Sequence, residues 1–324
     1  YKGDWSADPS YKVNQTAATL RLETDLGFAD LASITGYIEF DRENSFDVDG
    51  GPLPLTDFRN TDEVRQFSQE FRLSNDNDSM VWQLGAFYAN DQVKTDYNGD
   101  VGMLNTTTLS RADQDTTSMA LFANIDWFVG DDVTIITGLR YSDEKKANVG
   151  FTQDLATEVG GSYLTMAPMG SAPITVAAVD EEINSNNVSW KLGVNWKPSD
   201  ATLLYASATE GHKSGGFFAG IATDSLQLAP YEEETLRSYE VGLKSQLPQF
   251  GLSYELNAFY YDYQDVQTFI RDDSGALPIQ RLSNIDSADI YGLDAVARYK
   301  PAVAEGLSIS AGLGLLQTEL SSSS

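Results

Sequence analysis

TLLYASATEGHKSGGFFAG, residues 202–220, and TLRSYEVGLKSQLPQFGLSYELNAFYYDY, residues 235–263, hold the pattern from which the fold is read. In the second segment Tyr239, Val241 and Leu243 alternate with Glu240, Gly242 and Lys244. A short turn at Pro248-Gln249-Phe250 follows. Then Leu252, Tyr254, Leu256, Ala258 and Tyr260 alternate with Ser253, Glu255 and Asn257. Successive side chains of a strand point to opposite faces, so each of these strands has one apolar and one polar face. What the apolar face touches decides the fold class.

The same two-residue period recurs on both sides of this stretch. Leu20, Leu22, Thr24 and Leu26 form one set, and Ala32, Ile34, Gly36, Ile38 and Phe40 form the next. QFSQEFRLS and VWQLGAFYA follow, then SMALFANIDWF and VTIITGLRY, then VSWKLGVNW ahead of TLLYASAT. IYGLDAVARY and LSISAGLGLL end the series. In all, the spacing predicts about twelve strands of roughly nine to eleven residues, the length of a tilted strand crossing a bilayer. Polar, Gly- and Pro-bearing stretches near 41–62, 91–114, 142–186 and 264–284 read as long loops and alternate with tight turns. Strict short–long alternation is the habit of an outer-membrane barrel, with short periplasmic turns and long outer loops. Trp127 and Trp196 each stand beside a short turn, where an interfacial aromatic girdle belongs. The fold class expected is therefore all-β, an antiparallel transmembrane β-barrel whose apolar stripes face lipid.

Composition narrows the chemistry. The chain has 324 residues, no cysteine, one histidine and a formal net charge of −27. Disulfides, thiolate metal sites and multi-histidine metal centres are excluded, and nucleic-acid phosphates would be repelled. Mean hydropathy is −0.30, and no apolar run is long enough for a membrane helix. No cofactor is expected. The segment SFDVDG at 45–50 carries a calcium-loop pattern, but Thr56 stands where its bidentate glutamate belongs, so it reads as a solvated loop.

LYASATEGHKSGGF, LRSYEVGLKS, LNAFYYDYQDVQ and SNIDSADIYGLDAVARY resemble the barrel of TonB-dependent outer-membrane receptors, as do ITGYIEFD and SQEFRLSN with WQLGAFY. The resemblance is to the iron-complex type of Gram-negative bacteria. It implies a 22-stranded barrel with a plug in its lumen, a siderophore or similar ferric chelate as ligand, outer-membrane lipid and lipopolysaccharide as surroundings, and energy delivered by the TonB system through the plug. The chain departs from that pattern. No plug-like region precedes Tyr1, and the SSSS end lacks a closing aromatic strand. Residues 1–324 are thus expected to be one partial barrel domain with its C-terminal strands missing and its first and last strands unpaired. A complete twelve-stranded barrel is the alternative.

Candidate ligand-binding residues cluster in the central stretch. Gly215 and Gly216, behind His212 and Lys213, could cradle an anion, because glycine lets backbone N–H groups approach closely; they could equally serve only to bend the chain as the strand ends. By the resemblance, Phe217, Phe218, Tyr231 and Arg271 would stack on an aromatic iron chelate. No catalytic or metal-ligating residue is expected. An outer-membrane lipase would have to use His212 as its only imidazole base, with Ser214 too near in sequence. A passive porin is the other alternative to active uptake.

Overall fold

The computed structural model describes residues 5–6, 9–53, 55–156, 158–273, 279–304 and 306–321, so the last three serines lie outside it. Its described residues form one sheet of twelve strands paired strictly in sequence order, every pair antiparallel. The strands are β1 (Ser10–Asp25), β2 (Asp30–Asp47), β3 (Thr56–Asn77), β4 (Met80–Val101), β5 (Thr106–Val129) and β6 (Val133–Asp154). They continue with β7 (Ile174–Ser199), β8 (Thr202–Lys213), β9 (Glu234–Leu247), β10 (Leu252–Asp272), β11 (Ile279–Tyr299) and β12 (Ile309–Ser321). In such a meander the connections alternate between two rims, so the tight turns after the odd-numbered strands share one rim. The sheet is open, because β1 pairs only with β2 and β12 only with β11. Leu20 and Leu315 therefore share no ladder, as expected.

The strands are longer than expected, at 12 to 26 residues. Stretches read as loops are largely ladder. Asp91 to Val101 of β4 faces Thr116 to Thr106 of β5 without a break, leaving only 102–105 as connection. The error has a physical cause. A ladder is made by backbone N–H and C=O groups, which pair as well beneath Asp, Asn and Thr as beneath Leu. The apolar stripe covers only part of each strand and does not mark where the strand ends.

Directly opposed residues share a face, so the register sorts side chains unambiguously. One face carries Phe71, Leu84, Leu121, Leu139, Leu192, Val241, Leu256, Leu293 and Leu313, all exposed. A face of this size and apolarity fits lipid contact and not water. Trp127, Trp196 and Tyr299 border it at the short-turn rim, while Tyr88, Tyr141, Tyr239, Tyr260 and Tyr291 border it toward the loops. From Val188 to Trp196 is about 27 Å along the strand and roughly 20 Å across a bilayer once tilted. The other face is polar and carries the folded β8–β9 loop, so we call it inner. β2 is the exception to the expected orientation. Its stripe Ile34, Ile38 and Phe40 opposes Glu70, Gln66 and Val64, on the inner face. Outside it shows Ser33 and Thr35, whose hydroxyls are bound to Gln69, at 3.0 and 2.6 Å.

Candidate functional site

β8 stops at Lys213 and β9 starts at Glu234, whereas β7 on one side and the β10–β11 hairpin on the other run on past them. The wall has a notch there, and the β8–β9 loop (214–233) fills it. A 3₁₀ turn at Ser225–Gln227 reaches both flanks: the Ala178 N–H donates to Ser225 Oγ at 3.1 Å, and Gln227 Nε2 donates to the Gln280 carbonyl at 2.9 Å. Phe217, Ala222 and Leu228 form a small buried core with Ala177 and Val179 of β7. Ala222 N–H donates to Thr152 Oγ1 at 3.1 Å and Ser110 Oγ to the Gly220 carbonyl at 3.1 Å.

The neck of the loop is a two-residue bridge. Gly216 and Tyr231 exchange both backbone hydrogen bonds, at 3.1 and 3.0 Å. A Cβ on Gly215 would collide with the Tyr231 carbonyl, and one on Gly216 would lie 2.6 Å from the Tyr231 hydroxyl. Here the glycines make room for Tyr231, whose phenol burial pushes its pKa up. Two amides facing each other across β10 and β11, Gln267 and Asn284, clasp the neck. Gln267 Nε2 donates to the Ser214 and Glu232 carbonyls at 3.0 Å each. Asn284 Nδ2 donates to the Glu232 carbonyl at 3.0 Å, and its Oδ1 accepts the Glu232 N–H at 2.8 Å. Lys146 of β6 adds a bond from Nζ to the Gly215 carbonyl at 2.7 Å.

The structure thus gathers Gly215, Gly216, Phe217, Phe218 and Tyr231 into one loop. Phe217 is only 7% exposed and turned into the core. Phe218 meets Phe269 edge to face at 5.9 Å. His212 stands beneath the loop, with Nδ1 3.1 Å from Thr235 Oγ1 and Nε2 3.3 Å from the Val188 carbonyl. Ser214 serves Glu144 instead. Lys213 is exposed, and Arg271 lies apart near the β10–β11 tip, paired with Asp273 at 2.8 Å. Gln267, Asn284 and Lys146 were missed because all three fell in stretches read as loop. Among the described residues no group of His, Asp or Glu is arranged to hold a metal.

We expect Gly215→Ala to open the neck, at a cost of about 1–3 kcal/mol for the forced displacement. Hydrogen exchange at the Tyr231 and Gly216 amides should accelerate, while amides of the β9–β10 ladder keep wild-type protection. Unchanged exchange at the neck would mean that the clasp is not what holds it.

A family model described as TonB dependent receptor-like, beta-barrel matches residues 1–321. Among solved structures, the ferric yersiniabactin uptake receptor FyuA from Yersinia pestis superposes with a TM-score of 0.74 at 18% identity, over 97% of this chain and 44% of its own. The copper transporter OprC gives 0.71 at 14% identity, over 99% of this chain and 49% of its own. The siderophore receptor PiuA from Acinetobacter baumannii gives 0.62 at 16%, over 98% and 48%. At these identities the likeness is one of fold, and this chain spans just under half the length of each.

Proposed function

The chain belongs to the TonB-dependent receptor β-barrel family, and from that premise we propose that it forms part of the wall of a Gram-negative outer-membrane transporter for a bulky, scarce nutrient. A ferric siderophore complex is the substrate class proposed, taken up with energy from the TonB system through a plug in the lumen. Lipid and lipopolysaccharide surround the outer face, and the chain does no enzymatic chemistry. It contributes one partial barrel domain, with further strands pairing β1 and β12, because unpaired edges are poorly tolerated in hydrocarbon.

The observation that carries this reading is the pairing of two surfaces on one sheet. An exposed apolar belt between two aromatic borders backs a charged and hydroxylated inner wall. A soluble sandwich would bury that belt against a second sheet. Ligand contacts are proposed in the outer vestibule, with Phe218, Lys213 and Arg271 nearest its opening and Gly215, Gly216, Phe217 and Tyr231 shaping the loop behind them; His212, opposite Thr235 on the outer face, is left out of the contact set.

The test is accumulation of radiolabelled ferric chelates in a receptor-deleted host carrying the complete gene. Uptake should exceed the empty host and collapse with a protonophore. Uptake that survives the protonophore would replace active transport with diffusion through a pore, and none for any ferric chelate would remove iron complexes as the substrate class.

A further inference from the structure

The inner wall between β3 and β7 holds a charged arrangement that neither the notch loop nor the lipid belt uses. Phe122 of β5 lies over Gly85 of β4, so closely that any Cβ at 85 would enter its ring. The guanidinium of Arg140 on β6 stands 5.7 Å from the centre of that ring and 5.7 Å from the Phe87 ring. Its Nε donates to Ser142 Oγ at 3.0 Å. Arg72 of β3 and Lys191 of β7 line the same cavity of about 400 Å³.

What sets this group apart is the lack of counter-charge. The chain has 48 acidic against 21 basic residues, and among its other inner-wall cations Arg42, Lys146 and Lys244 stand beside carboxylates. Arg42 meets Asp62 at 2.6 Å, and Lys146 meets Glu144 at 3.2 Å. Among the described residues Arg140 and Lys191 pair with no carboxylate, and only Glu70 faces Arg72. The Nε of Arg72 is buried without a hydrogen-bond acceptor. The two rings lie within cation–π reach of the Arg140 guanidinium, and its Nη donors match the oxygens of a carboxylate or phosphate. Gln83 and Asn124 add amide donors to the same lining.

We propose that Arg72, Arg140 and Lys191 form a binding subsite on the lumen wall for an anionic group, a carboxylate or phosphate borne by the solute in transit. This rests on the transport reading above and adds to it the charge class of the solute. Gly85 is the positioning residue, because a side chain there would displace the Phe122 ring from its place beside Arg140.

Phenylglyoxal modification of the complete, purified receptor tests the subsite, with each arginine followed by mass spectrometry at matched ionic strength. Citrate and inorganic phosphate are the probes, sorbitol the neutral control, and Arg237 on the outer face the internal control. At ten times its dissociation constant an anion should slow modification of Arg140 and Arg72 about tenfold by mass action and leave Arg237 unchanged. Protection by citrate alone identifies carboxylates, and by phosphate alone phosphate esters. Gly85→Leu and Lys191→Gln should each weaken the protection, and Lys191→Gln removes only a side-chain charge if the glycine variant fails to assemble. Equal rates with and without anions would overturn the proposal. So would an Arg140 that never reacts, since that would show the patch covered by protein. Neither result touches the membrane reading, which is tested independently at Leu192.

Discussion

Replacing Leu192 with arginine in the complete receptor is expected to cost about 2–4 kcal/mol of stability in lipid, while Gly193→Ser, one residue on, should cost well under that. Leu192 lies in the middle of the outward stripe of β7, between Trp190 and Val194, and is 53% exposed in the isolated chain. On the proposed membrane reading, a leucine exposed at the centre of the apolar belt contacts hydrocarbon, where a guanidinium loses its hydration. Gly193 points inward and is buried, yet an added Cβ would meet the Ala206 carbonyl and Ile136 Cβ at an ordinary 3.5 Å. Trp196→Ala should fall between the two, since an interfacial ring is only partly withdrawn from water. Equilibrium unfolding of the receptor from phospholipid vesicles gives the free energies. Single cysteines at Leu192 and Asn195 give the topology. The first should be quenched by a lipid-soluble quencher, and the second labelled by an aqueous thiol reagent. If both proved dry and out of reach of lipid, the belt would be a protein core and the membrane assignment would fail.

Asp154→Ala is expected to release the β6–β7 loop, raising its opening equilibrium by an amount worth about 3 kcal/mol. Asp154 ends β6 well beyond the lipid belt and is fully buried. It accepts from Thr165 Oγ1 at 2.6 Å and the Ala156 N–H at 3.0 Å, and through short bonds from the hydroxyls of Thr106 and Ser162. Burial pushes its pKa up, but the donors of Ser162, Thr106, Thr165 and Ala156 outweigh burial and hold it below the usual carboxylate range. A carboxylate whose folded pKa is depressed stabilises the fold fully above its unfolded pKa, near ~3.9, and loses that contribution as pH falls through the folded pKa. The loop should therefore stay closed at pH 5 and above, and its stability should start to fall below about pH 4 and be lost as pH drops through the depressed folded pKa. Asp154→Asn keeps an acceptor oxygen and should open less than Asp154→Ala, with no acid transition. Hydrogen exchange over residues 158–173 reads both effects. Protection that does not change between pH 5 and pH 3 would show that the charge on Asp154 is not what closes the loop.

The two predictions differ in what the sequence alone could have supported. The outward stripe of β7 was legible because Val188, Trp190, Leu192, Val194 and Trp196 recur at every second position, and that period survives any tertiary context. Asp154 was invisible. Its donors come from Thr106, 48 positions away, and from a loop with no periodic pattern, so nothing near it in sequence marked it as more than another acidic residue. Gln267 and Asn284 were hidden for a related reason. They stand opposite each other only because β10 and β11 continue pairing past the apolar belt, where both faces mix polar and apolar residues and the clean alternation is lost.

By itself the sequence determined the number of strands, their antiparallel meander and the rim that holds the short turns. These follow from side-chain alternation and turn residues, which are local properties of the chain. Tertiary structure alone decided how far each ladder runs beyond the lipid, since backbone pairing is indifferent to side-chain polarity. It alone decided which face each stripe takes, as β2 shows: a two-residue period is unchanged by turning a strand over, and only register with its neighbours settles the choice. It alone placed Arg72, Arg140 and Lys191, residues from three strands, on one wall. Their meeting depends on pairings that no local pattern encodes.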